Sequence, residues 1–302
     1  MAVIMLLIGL ELIWKISAMN RFSRYAGNKL HFTDMFNEIT EPLNKKIYVE
    51  PFFGSGAIFF NLNKEYDLYV INDLNKHVMN TVAAFKNSDY ETYKNLYDKM
   101  FAQFGDIKNN KQSYYDFRNW FNAEYFSKNT DLITEGILFH FLMNACINSL
   151  IRIGPNGFNQ SYGNRFLFLE KSEFDAIQKR LNRNVVILSE DYKDVISKYD
   201  SEDTLLFLDP PYFLRNEVGY EKTYSESDLI SFIDKIKTLK SSIVYTDIPC
   251  HLHDKLKDWH REDTKTLISI SPNRDSELAN QEVFYSNFAP AQAVIKNPTL
   301  FD

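Results

Sequence analysis

Cysteine is scarce in this chain. Two thiols in 302 residues, Cys146 and Cys250, cannot build a disulfide framework and point to a reducing, cytoplasmic setting. Cys250-His251-Leu252-His253 is the one cluster with metal-ligand residue types. One thiol and two imidazoles on a single expected helix do not close a tetrahedral site, so no metal is expected. A basic excess is also missing. Lys and Arg total 34 against 40 Asp and Glu, a net charge of −6. A nucleic-acid partner would therefore need a local basic patch rather than a global field. Long clean apolar runs are absent too. Residues 1–18 are apolar but broken by Glu11 and Lys15, which excludes a membrane span of about 20 residues. A secretory signal stays open there, although no basic n-region precedes the run and no clear small-x-small cleavage site follows it. Met19 follows at once, and the expectation is that translation starts there, with residues 1–18 outside the fold; a genuine extra helix and a targeting segment are the alternatives.

What is present is a hydrophobic share of 45%, enough for one large core or a core with an insertion. The chain turns around Asp209-Pro210-Pro211-Tyr212. The apolar run before it, Thr204-Leu205-Leu206-Phe207-Leu208, is continuous rather than alternating, which predicts a buried parallel strand. Two prolines cannot extend a hydrogen-bonded ladder, so the chain leaves the sheet as a stiff loop. Ligands of open α/β sheets bind at that carboxyl edge. The Asp209 carboxylate and the Pro210 carbonyl can both accept hydrogen bonds from an exocyclic amine of a nucleobase. Tyr212 offers a face for the base to stack on. Alone, the tetrapeptide fits a plain strand-terminating turn equally well.

A second set of residues precedes it. Ile47-Tyr48-Val49-Glu50 reads as a strand, Pro51-Phe52-Phe53-Gly54-Ser55-Gly56 as a glycine turn, and residues 57–62 as a helix. Phe52, Gly54 and Gly56 let backbone approach a ligand closely, but the third glycine of the dinucleotide fingerprint is missing. Leu68-Tyr69-Val70-Ile71 is a second strand ending at Asp73, which either binds the two hydroxyls of a ribose or caps the next helix. Upstream, Arg24-Tyr25-Ala26-Gly27-Asn28-Lys29 is a turn before a helix over 30–39. Its lysine can hold an anionic group. After a strand at 185–188, Asp191 can accept a purine amino group or cap a helix, and Tyr192 can stack.

Residues 75–148 predict four amphipathic helices, over 75–86, 90–104, 111–126 and 131–148, too long for a sheet crossover. Arg152 to Arg165 follows, with Gly-Pro and Asn-Gly turns that predict a hairpin. Arginine and asparagine read base edges and grip phosphates, although a plain surface hairpin has the same turns. Further helices are expected over 173–181, 226–239 and 251–259, with strands over 243–246, 266–270, 282–286 and 293–295.

Phe52-x-Gly54-x-Gly56, then a helical insertion, then Asp209-Pro210-Pro211-Tyr212 resembles the Dam family (D12 class) of DNA N6-adenine methyltransferases, the phage-type members most of all. Arg24 to Lys29 is similar to that family's first cofactor motif, and Gln281-Glu282-Val283-Phe284-Tyr285-Ser286-Asn287-Phe288 to its closing strand. The resemblance implies an α/β Rossmann-like sheet over 19–74 and 166–302, with a helical target-recognition domain over 75–165. It implies S-adenosylmethionine at Tyr25, Lys29, Asp73 and Asp209, joined by Asp191 and Tyr192, where the family varies. It implies double-stranded DNA at the hairpin, with Arg152 and Arg165 on phosphates or a guanine and Asn156 or Asn159 on a base edge. It also implies a monomer or weak dimer, with a cognate restriction endonuclease as a candidate partner. Gln160-Ser161-Tyr162-Gly163 departs from the usual Val-Pro-Phe-Gly, so the family's common GATC site is not carried over firmly. Two rivals stand: methylation of an RNA adenine or other exocyclic amine, and a DNA-binding module without catalysis.

Overall fold

The computed structural model describes residues 22–24, 29–126, 128, 131–211, 225–267 and 281–290. In chain order, a 3-10 turn Leu30–Phe32 leads into helix α1, Thr33–Thr40. Strand β1 (Ile47–Glu50), helix α2 (Ala57–Phe60) and strand β2 (Leu68–Asn72) follow. Four helices come next: α3 (Lys76–Lys86), α4 (Tyr90–Phe104), α5 (Lys111–Glu124) and α6 (Leu132–Ala145). A hairpin of β3 (Ile153–Gly154) and β4 (Gly157–Phe158) precedes α7 (Lys171–Leu181). The chain then gives β5 (Val185–Leu188), α8 (Tyr192–Tyr199), β6 (Thr204–Leu208), α9 (Glu226–Ile236) and β7 (Ser242–Asp247). A 3-10 segment His251–Leu256 leads to β8 (His260–Leu267), and β9 (Gln281–Ser286) closes the sheet.

The main sheet has seven strands in the order β5-β2-β1-β6-β7-β9-β8. The first five are mutually parallel, and β9 runs antiparallel to both β7 and β8. All five residues of β6 are buried, as its unbroken apolar run predicts. Alternate residues feed two cores, because successive side chains point to opposite faces. Tyr48, Tyr69, Ile71 and Phe207 join one core with the buried residues of α3, α6 and α7. Val49, Val70, Leu206 and Leu208 join the other, with Val195 and Ile196 of α8 and Leu229, Phe232 and Ile233 of α9. The chain runs outward from β1 to β2 and β5, then returns to the other side of β1 as β6. That reversal puts a crevice at the carboxyl ends of β1 and β6.

Several boundaries differ from expectation. The helix expected over 30–39 is split by the 3-10 turn, where Thr33 Oγ1 donates to the Leu30 carbonyl at 2.8 Å. The helix expected to reach residue 148 stops at Ala145, because Cys146 turns extended (φ −82°, ψ 161°), and Asn148 and Ser149 beyond it take positive φ (54° and 52°). The strand expected at 266–270 starts at His260 instead. Its exposed His-Arg-Glu-Asp start looks like a loop, yet among the described residues β8 pairs only with β9, and charge suits an edge strand. Residues 192–199 form the helix that the capping alternative at Asp191 implies. The strand expected at 293–295 and the apolar segment 1–18 lie outside the described residues.

Candidate active site

The site begins where β6 ends. Asp209 leaves the sheet with one carboxylate oxygen, Oδ2, 2.9 Å from Lys29 Nζ. Its other oxygen, Oδ1, accepts a hydrogen bond from Thr246 Oγ1 at 2.7 Å. Thr246 stands on the neighbouring strand β7, so the ladder itself fixes that donor. Lys29 Nζ also lies 3.5 Å from Glu282 Oε1 on β9, and Glu282 is buried. Two carboxylates thus share one buried ammonium. Burial alone would lower the Lys29 pKa, but the charges of Asp209 and Glu282 leave it raised. Burial raises the Asp209 carboxyl above its ordinary value, while Lys29 and Thr246 draw it back.

The glycine turn lies beside this group. Gly54 and Gly56 both take left-handed φ (52° and 64°). The Gly54 N–H donates to Asp73 Oδ2 at 2.9 Å, and Asn75 N–H donates to Asp73 Oδ1 at 2.9 Å. The N-cap of α3 is Asn75, whose Oδ1 accepts from His77 N–H. Asp73 is therefore not the helix cap, and its bond to Gly54 ties the tip of β2 to the bend after β1. Glu50 ends β1 and is fully buried, with Tyr48 Oη donating to it at 2.7 Å. Burial, with Asp209 and Asp73 nearby, pushes its pKa up to about 8. Asn72 pins the same edge: its Nδ2 donates to the Pro51 carbonyl at 2.9 Å, and its Oδ1 accepts from Glu190 N–H at 2.8 Å.

The D12 class N6 adenine-specific DNA methyltransferase family matches residues 25–275, well over half of the chain. The chain belongs to that family. The type II methyltransferase M.MjaIII of Methanocaldococcus jannaschii is 29% identical over 68% of this chain and 74% of its own length. A DNA adenine methylase of Haemophilus influenzae is 27% identical over 72% of this chain and 76% of its own. The DNA N-6-adenine-methyltransferase of Escherichia phage P1 is 28% identical over 76% of this chain but only 27% of its own length.

The family's expected positions fall into three groups. Lys29, Gly54, Gly56, Asp73 and Asp209 meet at the carboxyl edge of the sheet, as described above, and Pro210 follows Asp209 directly. Phe52 and Tyr192 meet there too, their rings 4.9 Å apart. Asp191 caps α8, its Oδ1 accepting from Lys193 N–H at 2.9 Å. Tyr25 and Tyr212 lie outside the described residues, and Pro211 is the last residue described before that gap. In the hairpin, Arg152 Nε donates to Asn159 Oδ1 at 2.6 Å, and Arg152 Nη2 to the Asn159 carbonyl at 3.1 Å. Asn156 is exposed on the turn and Arg165 is exposed past the hairpin.

The hairpin is coupled to the carboxyl edge of the sheet through α6. Gly163 N–H donates to the Ala145 carbonyl, and Ile147 N–H to the Ser161 carbonyl. From the same helix, Asn144 Oδ1 accepts from Arg24 N–H at 2.7 Å, and His140 Nε2 meets the Phe22 carbonyl at 2.9 Å. Burial holds the His140 pKa down to about 4, so Nε2 donates as part of a neutral ring. Residues 22–24 are thereby anchored just ahead of Lys29.

Thr246, Glu282, Glu50 and Asn72 were not found from sequence. In the Cys250-His251-Leu252-His253 stretch His253 is turned inward while His251 is exposed: His253 Nδ1 accepts from Cys250 N–H at 3.1 Å, and Nε2 lies 3.3 Å from Asp247 Oδ2. No group of three or more metal-ligating side chains occurs among the described residues. No described helix is long and apolar enough to cross a membrane.

Proposed function

We propose that this protein is a site-specific adenine methyltransferase acting on N6 in duplex DNA, with S-adenosylmethionine as donor. One observation carries the reading: Asp209, held at both oxygens, stands on the strand next to a left-handed glycine bend tied to Asp73. The residues fit such a donor. The bend brings bare backbone to the crevice, and Asp73 keeps lone pairs for ribose hydroxyls beyond its two backbone bonds. Phe52 and Tyr192 supply an aromatic wall, and Lys29 a cation. When bound, the cofactor supplies an activated methyl group on a sulfonium.

The chain's own contribution is placement and electrostatics. The exocyclic amine of adenine is a weak nucleophile, because its lone pair is drawn into the ring. Lys29 and Thr246 hold the two oxygens of Asp209 in a fixed orientation. Held so, the carboxylate and the Pro210 carbonyl are the acceptors for the N6 hydrogens, and they turn the lone pair outward. As N6 gains its methyl group one of these protons must leave, and the Asp209 oxygen is the acceptor at hand. Holding the reactants in line and presenting preorganised acceptors together supply the acceleration in such a site. The adenine must leave the duplex stack first, which costs a few kcal/mol. Tyr212 supplies the stacking face for the extruded base. Arg152, Asn156, Asn159 and Arg165 make the DNA contacts.

Expression in a methylation-deficient host, followed by sequencing with base-modification detection, tests this reading. N6-methyladenine confined to one short motif is the expected result. Unmodified adenine throughout, with folded protein present, would refute it.

A further inference from the structure

We propose that helix α5 fixes the register of the hairpin, with Tyr114, Arg118 and Asn122 acting as positioning residues for target-sequence discrimination. This rests on the reading that the hairpin contacts DNA. The hairpin is too small to hold itself. Its ladder has two residue pairs, Ile153 with Phe158 and Gly154 with Gly157. An isolated two-stranded ribbon is marginal in water even when longer.

The missing support comes from one face of α5. Tyr114, Arg118 and Asn122 are spaced four residues apart, so they stack along a single side of the helix. Asn122 Oδ1 accepts from Phe158 N–H at 2.9 Å, and its Nδ2 donates to the Phe158 carbonyl at 2.9 Å. One carboxamide thus provides both bonds a neighbouring strand would provide. Two residues on, the Gln160 carbonyl accepts from Tyr114 Oη at 2.9 Å and from Arg118 Nη1 at 3.1 Å. Gly157 has φ of +102°, and a Cβ there would sit 2.5 Å from Asn122 Oδ1. Only glycine allows the clamp to close. The Phe158 ring is buried against Phe139, centroids 5.6 Å apart.

The consequence falls on the neighbours. Side chains along a strand alternate, so a slip of one residue would send Asn159 inward and Phe158 outward. With Phe158 and Gln160 held, Asn159 is exposed at a fixed place, and its Oδ1 orients Arg152 through Nε. Rigid side chains reject a wrong base because they cannot rearrange to satisfy it. A loosened hairpin would accept more sequences without altering the methyl-transfer step.

The test uses the full chain and duplexes carrying its own mapped motif or single-base variants of that motif. Discrimination is the ratio of kcat/KM on the two substrates. Asn122→Ala and Arg118→Ala are expected to lower that ratio roughly tenfold. The single-turnover rate at saturating cognate DNA should stay within about twofold of the parent. Arg118→Lys, which keeps a donor for the Gln160 carbonyl, should restore the ratio. Should Asn122→Ala not fold, the half-buried Arg118 position carries the same comparison. Arg152→Ala separates the two levels of the argument. If Arg152→Ala lowers the ratio while both α5 variants leave it unchanged, the clamp is overturned and the hairpin reading stands. If Arg152→Ala also leaves it unchanged, the hairpin reading itself fails and the inference falls with it.

Discussion

Lys29 Nζ lies 2.9 Å from Asp209 Oδ2, with side-chain exposures of 4% and 18%. A buried ion pair is costly to break on one side, because the remaining charge loses its partner. The pair gives the proposed acceptor a fixed orientation before any substrate arrives. Lys29 has a raised pKa in the fold. Its stabilising contribution is therefore fully present below the ordinary lysine value and is lost only as pH rises through the raised one.

Replacing Lys29 by Met should move the acid side of the pH–rate profile upward. Burial already raises the Asp209 pKa, and Lys29 is the nearest group opposing that shift. Without it, more of Asp209 is protonated at mildly acid pH, and a protonated carboxyl is the poorer acceptor. Single-turnover rates between pH 5.5 and 8.5 read this directly. The variant's deficit should be larger at the acid end; a deficit independent of pH would count against the role assigned to Lys29.

Thr246→Val keeps the shape of a β-branched side chain and removes the donor to Asp209 Oδ1. Hydrogen bonds to charged groups contribute about 1.5–3 kcal/mol, so a rate loss of roughly tenfold or more is expected. The same lost bond should lower the melting temperature by a few degrees. Thr246→Ser should recover most of the rate, since it keeps the hydroxyl.

Glu50 gives the protein a stability term that weakens with pH. Its carboxyl titrates near 8 in the fold, against an ordinary value near 4.3 when unfolded. Between those limits the folded state holds a proton that the unfolded state has lost, so stability falls as pH rises. Glu50→Gln cannot lose that proton. Urea unfolding at pH 5 and pH 8 should show the variant gaining on the parent at the higher pH. Parallel curves would mean that Glu50 is already ionised in the fold.

Gly56→Ala should destabilise strongly. The residue has φ of +64°, and a Cβ there would lie 2.3 Å from Cζ of the buried Phe53 ring. Left-handed strain and overpacking together should cost about 2–4 kcal/mol. A lower urea midpoint with an unchanged slope is the expected signature.

The parts of this site that the sequence reveals are the local ones. Asp209 follows an apolar strand, Asp73 ends another, and Gly54 and Gly56 mark a bend; each is legible within a few residues. Thr246 was hidden because a threonine in a strand reads as an ordinary β-branched residue. Glu282 carried a usable signal: in β9 it shares the phase of the buried Phe284, so an inward carboxylate could have been read there. The polar α5 face at Tyr114, Arg118 and Asn122 looks solvated in sequence, and only the fold brings Phe158 and Gln160 to it. The β8 edge and the cap at Asn75 were likewise decided by neighbours distant in sequence or by competition between adjacent polar residues.

The most direct measurement is single-turnover methyl transfer by Asp209→Ala on duplex DNA carrying the protein's own motif, with DNA binding titrated in parallel. The account predicts loss of transfer by about 10²–10³-fold or more, with DNA affinity close to that of the parent. Transfer at the parent rate would show that the carboxylate held by Lys29 and Thr246 is not what makes the amine react.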